Sequence, residues 1–365
     1  MDFNCYNCDC KTLKPDTAPI FISSRIRLAR NVDGGFFGER NFGEHRGEIL
    51  ENCKKAISGV RKFDGGYFLN LDELNQQDRD ILFERNIISR ELLLADGARG
   101  VYVGADCTSS VMINEEDHLR IQVQERGLCL DALWKKIDGI DNQIEKRVRY
   151  AYSERYGYLT ACPTNTGTGM RASVMMHLPG LSLSGQMEPV IRGLNHMGMV
   201  ARGANGEGSE PSGSFYQISN QQTLGFAERD IIGKITAMGV RLAEFETNAR
   251  MKLLEDSPEL VYDKIARAWA VLESCVMIAG AEAIECLSLL RLASDLGFMP
   301  VKNKIVIDTM LLEVRPAHLE RDFGKCGMDS NARDILRASI LKGCLKSLRR
   351  PRLPKSKKSA EDAAK

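Results

Sequence analysis

Residues 100–124 read GVYVGADCTSSVMINEEDHLRIQVQ. Val111, Ile113, Leu119, Ile121 and Val123 recur at every second position on either side of an acidic break. Successive side chains of a strand point to opposite faces, so this spacing predicts half-buried strands with a strand end or turn between them. Upstream, Phe21–Arg30 (FISSRIRLAR) begins apolar and carries three arginines. Residues 78–95 place Ile81, Leu82, Ile88, Leu92 and Leu93 at helical spacing, and residues 129–153 also read as helix. Downstream, YGYLTACP (156–163) and RASVMMHLP (171–179) read as two strands around a Gly-rich loop. A short helix follows in QMEPVIRGLNHMG, then strands in MVARG and SFYQISN, then a long amphipathic helix over 226–252. Strands clustered with tight connections predict an α+β fold with an antiparallel sheet flanked by helices, rather than βαβ units.

Beyond Asp256 the pattern changes. SPEL has the form of a helix start, with Ser257 as N-cap and Pro258 at the first helical position. From there to about residue 348 only helices are predicted. The expected organisation is a polar segment over 1–20, a catalytic domain over 21–253, an all-α domain over 257–348 and a basic tail over 349–365. Lys342–Lys358 carries eight basic and no acidic residues with Pro351 and Pro354, a composition expected to be disordered.

The 365 residues include 50 Lys+Arg and 49 Asp+Glu, a net charge of +1. That balance excludes a global basic field for nucleic acid. No apolar run reaches the ~20 residues of a membrane span, and MDFNCYNCDCKTLKPD lacks the apolar stretch of a secretory signal. Eleven cysteines, an odd number without an export signal, read as reduced thiols of a cytoplasmic protein. Cys5, Cys8 and Cys10 form C-x2-C-x-C, but a fourth ligand for structural zinc is missing.

Four clusters carry chemistry. Arg25 and Arg27 stand two apart, so on a strand both forks share a face and repel unless an anion lies between them. Alone, such a pair reads as a solvated strand edge. Asn114-Glu115-Glu116-Asp117-His118-Leu119-Arg120 could hold a cation or orient a guanidinium, or be only an acidic turn; His118 reads as a hydrogen-bonding partner more than a metal ligand. Cys162-Pro163-Thr164-Asn165-Thr166-Gly167-Thr168-Gly169-Met170-Arg171 combines a thiol, hydroxyls and two glycines that permit close approach to a ligand. Near arginines Cys162 is expected to have thiolate character. The segment is neither a P-loop nor a Rossmann fingerprint. Arg202–Glu210 is a Gly-rich loop that reads as a mobile substrate loop.

In order and spacing, SSRIRLARN, NEEDHLRIQ, CPTNTGTGMRASVM, RGANGEGSEPSG and FYQISNQQTLG resemble the ATP:guanido phosphotransferases, over roughly residues 18–345. The pattern is most like the family's bacterial protein-arginine-kinase branch. The resemblance implies that Arg25, Arg27, Arg120, Arg171 and Arg202 clamp the phosphates of ATP. It implies that Glu116 and Glu207 are the catalytic carboxylates, that Cys162 is the reactive cysteine, and that Glu115 helps orient water around Mg²⁺ with no direct metal ligand. It also implies that Arg333, Asp334, Arg337 and Ala338, in RDILRA, form a phosphoarginine-binding motif; without the family, Arg333 and Arg337 read as an i,i+4 charged pair.

Small-molecule guanidino kinases carry a helical domain of ~100 residues before the first Arg-x-Arg, whereas 24 residues precede Arg25 here. The expectation is therefore a protein arginine kinase that uses ATP and Mg²⁺. It would mark proteins for a Clp protease or act on stress-response repressors, with a McsA-type activator, a Clp ATPase and a second copy of itself as partners. A kinase for free arginine and a catalytically silent phosphoarginine-binding adaptor are the alternatives. Asn86, where many relatives have His near the adenine, and Ala204-Asn205, where relatives often have Leu-Tyr, depart from the family pattern without removing a catalytic group.

Overall fold

The alternation of Phe21–Arg30 produces the strand around which the first part of the molecule is organised. In the computed structural model, which describes residues 20–38, 43–203, 212–324 and 327–353, this strand (β1) lies in the middle of an eight-stranded sheet. In chain order there follow α1 (Gly43–Ser58), β2 (Tyr67–Asn70), α2 (Gln76–Glu84), α3 (Arg90–Leu94), β3 (Gly100–Val103), β4 (Ser109–Ile113), β5 (Leu119–Arg126) and α4 (Leu130–Glu145). Next come the two-residue strands β6 (Tyr152–Ser153) and β7 (Gly157–Tyr158), then β8 (Met170–His177), α5 (Pro179–Leu183), α6 (Met187–His196), β9 (Met199–Gly203), β10 (Phe215–Asn220) and α7 (Glu228–Asp256). The remainder is helical: α8 (Pro258–Ser274), α9 (Gly280–Asp295), α10 (Asn303–Glu313), α11 (Pro316–Asp322) and α12 (Ser330–Leu345).

The sheet runs β2-β3-β4-β5-β1-β8-β10-β9 with antiparallel neighbours throughout. The period-2 pattern settles what each face does. Ile26, Leu28, Ile121, Val123, Ala172, Val174 and Ile218 are fully buried and share one core with the apolar stripes of α1, α4 and α7. Burying each such side chain contributes roughly 1.5–3 kcal/mol relative to exposure. On the other face, at the β2–β4 end, α2 and the 87–92 segment pack on Val101, Val103 and Met112. The rest of that face carries polar side chains. Helices α8–α12 build a separate core around Ile265, Leu272, Leu287, Leu290, Ile307 and Leu341.

Four expectations meet a different outcome. The helix over 78–95 is two helices, because Asn86 takes a left-handed φ of 57° and Ser89 starts afresh, its Oγ accepting from Leu92 N at 3.1 Å. YGYLTACP contributes only a two-residue strand. Beyond it, side chains hold the backbone: Ala161 N donates to Asp117 Oδ1 at 2.7 Å and Thr160 Oγ1 to Cys162 O at 2.7 Å. Pro258 does open α8, but the Ser257 side chain makes no capping bond. At the C-terminal end, packing continues past residue 349. Pro351 is buried, and Arg352 N donates to Phe298 O at 2.9 Å. Cys5, Cys8, Cys10, Glu207 with the 204–211 loop, and residues 354–365 lie outside the described residues.

Candidate active site

Strand register collects the arginines. Arg25 and Arg27 alternate with buried Ile26 and Leu28 and so point away from the core. Directly opposed residues of paired strands share a face. Arg27 opposes Arg171 on β8 and Gln122 on β5, and Ala29 opposes Arg120. Gln217 on β10 opposes Arg202 on β9. Arg25, Arg27, Arg120, Arg171 and Arg202 therefore stand on one face of the sheet, on strands β1, β5, β8 and β9. Arg25 Nη2 donates to Gln217 Oε1 at 3.0 Å, and Arg171 Nε and Nη2 reach Ser219 Oγ at 3.4 and 3.3 Å.

This face is overloaded with positive charge. Burial, then Arg120 and Arg171, lower Arg25 from its ordinary value to about 10. Arg27 is pushed well below its ordinary value by burial and by Arg25, Arg120 and Arg171, opposed by Glu115. The buried Arg27 Nε has no hydrogen-bond partner. Arg120 moves up instead: burial lowers it, but Glu115 and Glu91 outweigh that. Mutually repelling guanidiniums, with the Arg27 Nε unbonded, are costly to bury without a counter-charge. They fit a multivalent anion such as a polyphosphate, whose oxygens would satisfy the forks.

The acidic cluster is the β4–β5 turn, which Asn114 enters with a φ of 59°. Its three carboxylates take separate places. Glu115 pairs with Arg120, accepts Ser89 Oγ at 2.5 Å and accepts the Glu116 N–H at 3.1 Å. Burial alone would raise its carboxyl, but Arg120, Ser89 and that N–H hold it below the ordinary value. Glu116 is exposed and is pushed up by desolvation and by neighbouring Asp117 and Glu115. Asp117 is buried and faces inward. Asn31, at the end of β1, donates to Asp117 Oδ1 at 2.6 Å and to Leu159 O at 3.0 Å, while its Oδ1 accepts from His118 N at 2.9 Å. Asp117 Oδ1 also takes the Ala161 N–H, which ties the segment carrying Cys162 to the turn carrying Glu116. His118 accepts Val32 N–H on Nδ1 at 3.0 Å and lies 2.8 Å from Phe36 O through Nε2. It is a buried structural histidine, with no role as a ligand in this arrangement.

Cys162 precedes a short 3-10 turn over Pro163–Asn165, and its Sγ lies 2.9 Å from Thr164 Oγ1. Thr223 Oγ1 bonds Thr164 O at 2.8 Å and Thr166 O at 2.7 Å, fixing the loop from the far side. Both glycines are required by close protein contacts. Gly167 has a φ of 116°, and a Cβ there would lie 2.8 Å from Thr223 O; at Gly169 (φ 63°) it would lie 2.6 Å from Ala29 O.

In the helical part, Arg333 and Arg337 lie one turn apart on α12. Arg333 Nη1 meets Glu320 Oε1 at 3.1 Å. Arg337, 2% exposed, donates to Val314 O at 2.9 Å, Ile278 O at 2.8 Å and Asp334 Oδ1 at 2.5 Å. Ala338 is buried beside it. Arg337 is thus held by three acceptors of its own domain, whereas Arg333 stands partly open.

Ser89, Gln217, Ser219 and Asn31 support the site but carry no signal in the sequence by themselves, since only the register brings them to the arginines and the turn. Comparison with known proteins agrees with the geometry. A model of the ATP:guanido phosphotransferase C-terminal catalytic domain matches residues 48–249, and one of the protein-arginine kinase McsB C-terminal domain matches residues 258–357. Arg25 and Arg27 precede the first match, and it is the sheet that joins them to it. A protein-arginine kinase of Halothermothrix orenii is 38% identical over 323 residues, covering 88% of this chain and 92% of that one. One of Bacillus velezensis is 38% identical over 331 residues, covering 90% and 91%. Among solved structures, the substrate-free duplicated taurocyamine kinase from Schistosoma mansoni aligns with a TM-score of 0.58 and 26% identity over 72% of this chain, which spans 39% of that one. A lombricine kinase aligns with a TM-score of 0.55 and 26% identity, covering 68% of this chain and 71% of that one.

Proposed function

The chain belongs to the ATP:guanido phosphotransferase family, and from that premise we propose that it transfers the γ-phosphoryl group of ATP to arginine side chains of proteins. The observation that carries this reading is the face of five arginines, four of which (Arg25, Arg27, Arg120 and Arg171) repel one another beside the Glu115–Asp117 turn. Arg25, Arg27, Arg120, Arg171 and Arg202 would hold the phosphates and stabilise charge on the phosphoryl group in transfer. Mg²⁺, bound with ATP, would neutralise phosphate charge; Glu115 Oε2, which accepts the Glu116 N–H, could also take a bond from metal-bound water.

The acceptor is protonated at neutral pH and has no lone pair with which to attack. A guanidino nitrogen must lose a proton as its bond to the γ-phosphorus forms and the bond from phosphorus to the bridging oxygen of ADP breaks. Glu116, whose carboxyl is raised by desolvation and by its acidic neighbours, would accept that proton. Glu207 would be the second carboxylate, and Cys162, tied to the same turn through Asp117, would face the guanidinium. The choice of a protein acceptor is supported by the match over residues 258–357 and by relatives named protein-arginine kinases. Arg333, Asp334, Arg337 and Ala338 would bind phosphoarginine, with Arg333 leaving Glu320 to do so. By the sequence resemblance, the enzyme would work in the cytoplasm as a homodimer, with a McsA-type activator, and pass its products to a Clp protease.

A Glu116→Gln variant tests the chemistry. It is expected to keep nucleotide binding and to lose about 10²-fold or more in kcat for arginine phosphorylation, the contribution of one positioned base. Equal turnover in variant and wild type would remove Glu116 from the mechanism.

A further inference from the structure

The segment between α2 and α3 is clamped from two sides. On the sheet side, Asn86 O accepts Gln122 Nε2 at 2.6 Å, and Gln122 is the residue opposite Arg27. Ser110 Oγ bonds Ile87 O at 3.2 Å, and Ser89 Oγ bonds Glu115, the partner of Arg120. This segment is the wall of the arginine face. On the other side stands α11, which belongs to the helical part of the chain. Glu84, the last residue of α2 and 8% exposed, accepts three bonds from it. These are Ala317 N at 2.8 Å, His318 N at 3.2 Å and His318 Nδ1 at 2.6 Å. Arg315 Nη1 donates to Glu84 O at 2.5 Å, and Arg85 Nε donates to His318 Nε2 at 3.2 Å. Because Nε2 accepts, Nδ1 must carry the proton it gives to Glu84. The joint is therefore fully directed, with every donor facing an acceptor.

We propose that Glu84 is a positioning residue for nucleotide: through it the helical domain sets the 85–89 segment, and with it Gln122 and the Glu115–Arg120 pair, at the phosphate-binding face. Glu84 touches no reacting atom and acts through backbone and neighbours alone. The physical basis is that a carboxylate accepting three hydrogen bonds at a buried joint fixes both elements. An amide cannot replace it, since its NH₂ would face a donor. The proposal rests on reading the arginine face as the ATP site.

The test compares Glu84→Gln and, from the other side of the joint, His318→Phe with wild type in the full-length chain. A fluorescent ATP analogue titrated with Mg²⁺ reads binding without any phosphoryl transfer, so the result stands apart from the question of the acceptor. Loss of charge-assisted bonds at the joint is expected to weaken nucleotide binding and raise the KM for ATP about tenfold in both variants. The KM for the protein acceptor and kcat at saturating ATP should stay within about twofold of wild type, as for interactions lost equally from ground and transition states. Variants that melt as folded proteins yet bind nucleotide as wild type does would overturn the proposal. So would a fall in kcat and a rise in both KM values in step with lost thermal stability, because that is a structural role only.

Discussion

Arg27 places a buried Nε without a partner among three other guanidiniums. If the arginine face is the ATP site, such a group would serve the phosphates at a cost to folding of the free protein. Arg27→Met keeps the stem and removes the charge. It is expected to stabilise the ligand-free protein by about 1 kcal/mol while abolishing stabilisation by added ATP, both read from thermal melts with and without nucleotide. His118 gives a pH signature of opposite logic. Burial holds it at about 4, below its ordinary 6.5, so the folded state resists a proton that the unfolded chain accepts. Stability from this group is complete above pH 6.5 and is lost progressively as pH falls to about 4, on the order of 3 kcal/mol in all. Buried His177, lowered by desolvation and by Arg291, Arg250 and Lys304, acts in the same direction. Urea midpoints for wild type and His118→Gln across pH 7 to 4 should converge toward low pH; parallel curves would contradict the assignment. Arg25 and Arg27 were legible as a pair in the sequence because Arg-x-Arg is a local pattern. Gln217, which bonds Arg25, and Ser219, which bonds Arg171, were not, since no spacing along the chain encodes a cross-strand contact.

At the scale of elements, the strands were readable wherever one face is buried and period-2 alternation is strict, as in β1 and β5. Reading failed where side chains replace the ladder. Thr160–Cys162 is held by Asp117 and its own hydroxyl bonds rather than by a partner strand. The helix predicted over 78–95 breaks at Asn86, whose left-handed backbone is bonded to Gln122 from another strand, a tertiary choice invisible to helical spacing. The loop glycines stand out in the sequence, and in the structure close protein contacts require them. Gly169→Ala combines a positive φ with a Cβ 2.6 Å from Ala29 O and 2.5 Å from Arg30 Nη1. It is expected to destabilise by more than about 2 kcal/mol, measured by urea unfolding. An unchanged midpoint would show that the loop moves freely from β1.

Across the whole molecule, the catalytic sheet and the helical part meet through buried charge. His177 Nε2 lies 2.8 Å from Ser288 Oγ, and His177 Nδ1 lies 3.0 Å from Arg291 Nη1, while Arg291 Nε meets Asp308 at 3.0 Å. Arg250 on α7 reaches Asp295 on α9 at 3.1 Å. Removing one member of such a network leaves uncompensated charge, so Arg291→Ala is expected to cost about 3–5 kcal/mol. The loss should appear in the unfolding of the full chain by calorimetry. The helical character beyond Pro258 was plain in the sequence, but its fusion to the sheet was not, because the arginines, acids and histidine that join them look like ordinary surface charge one at a time.

One experiment decides between acceptors. An arginine-rich protein and excess free arginine would be incubated together with the chain, ATP and Mg²⁺, and both products read by mass spectrometry without acid treatment. Phosphoarginine is expected on the protein, with free arginine left unmodified. Transfer to free arginine alone, or no transfer by a protein that binds ATP on its arginine face, would contradict the assignment of a protein arginine kinase.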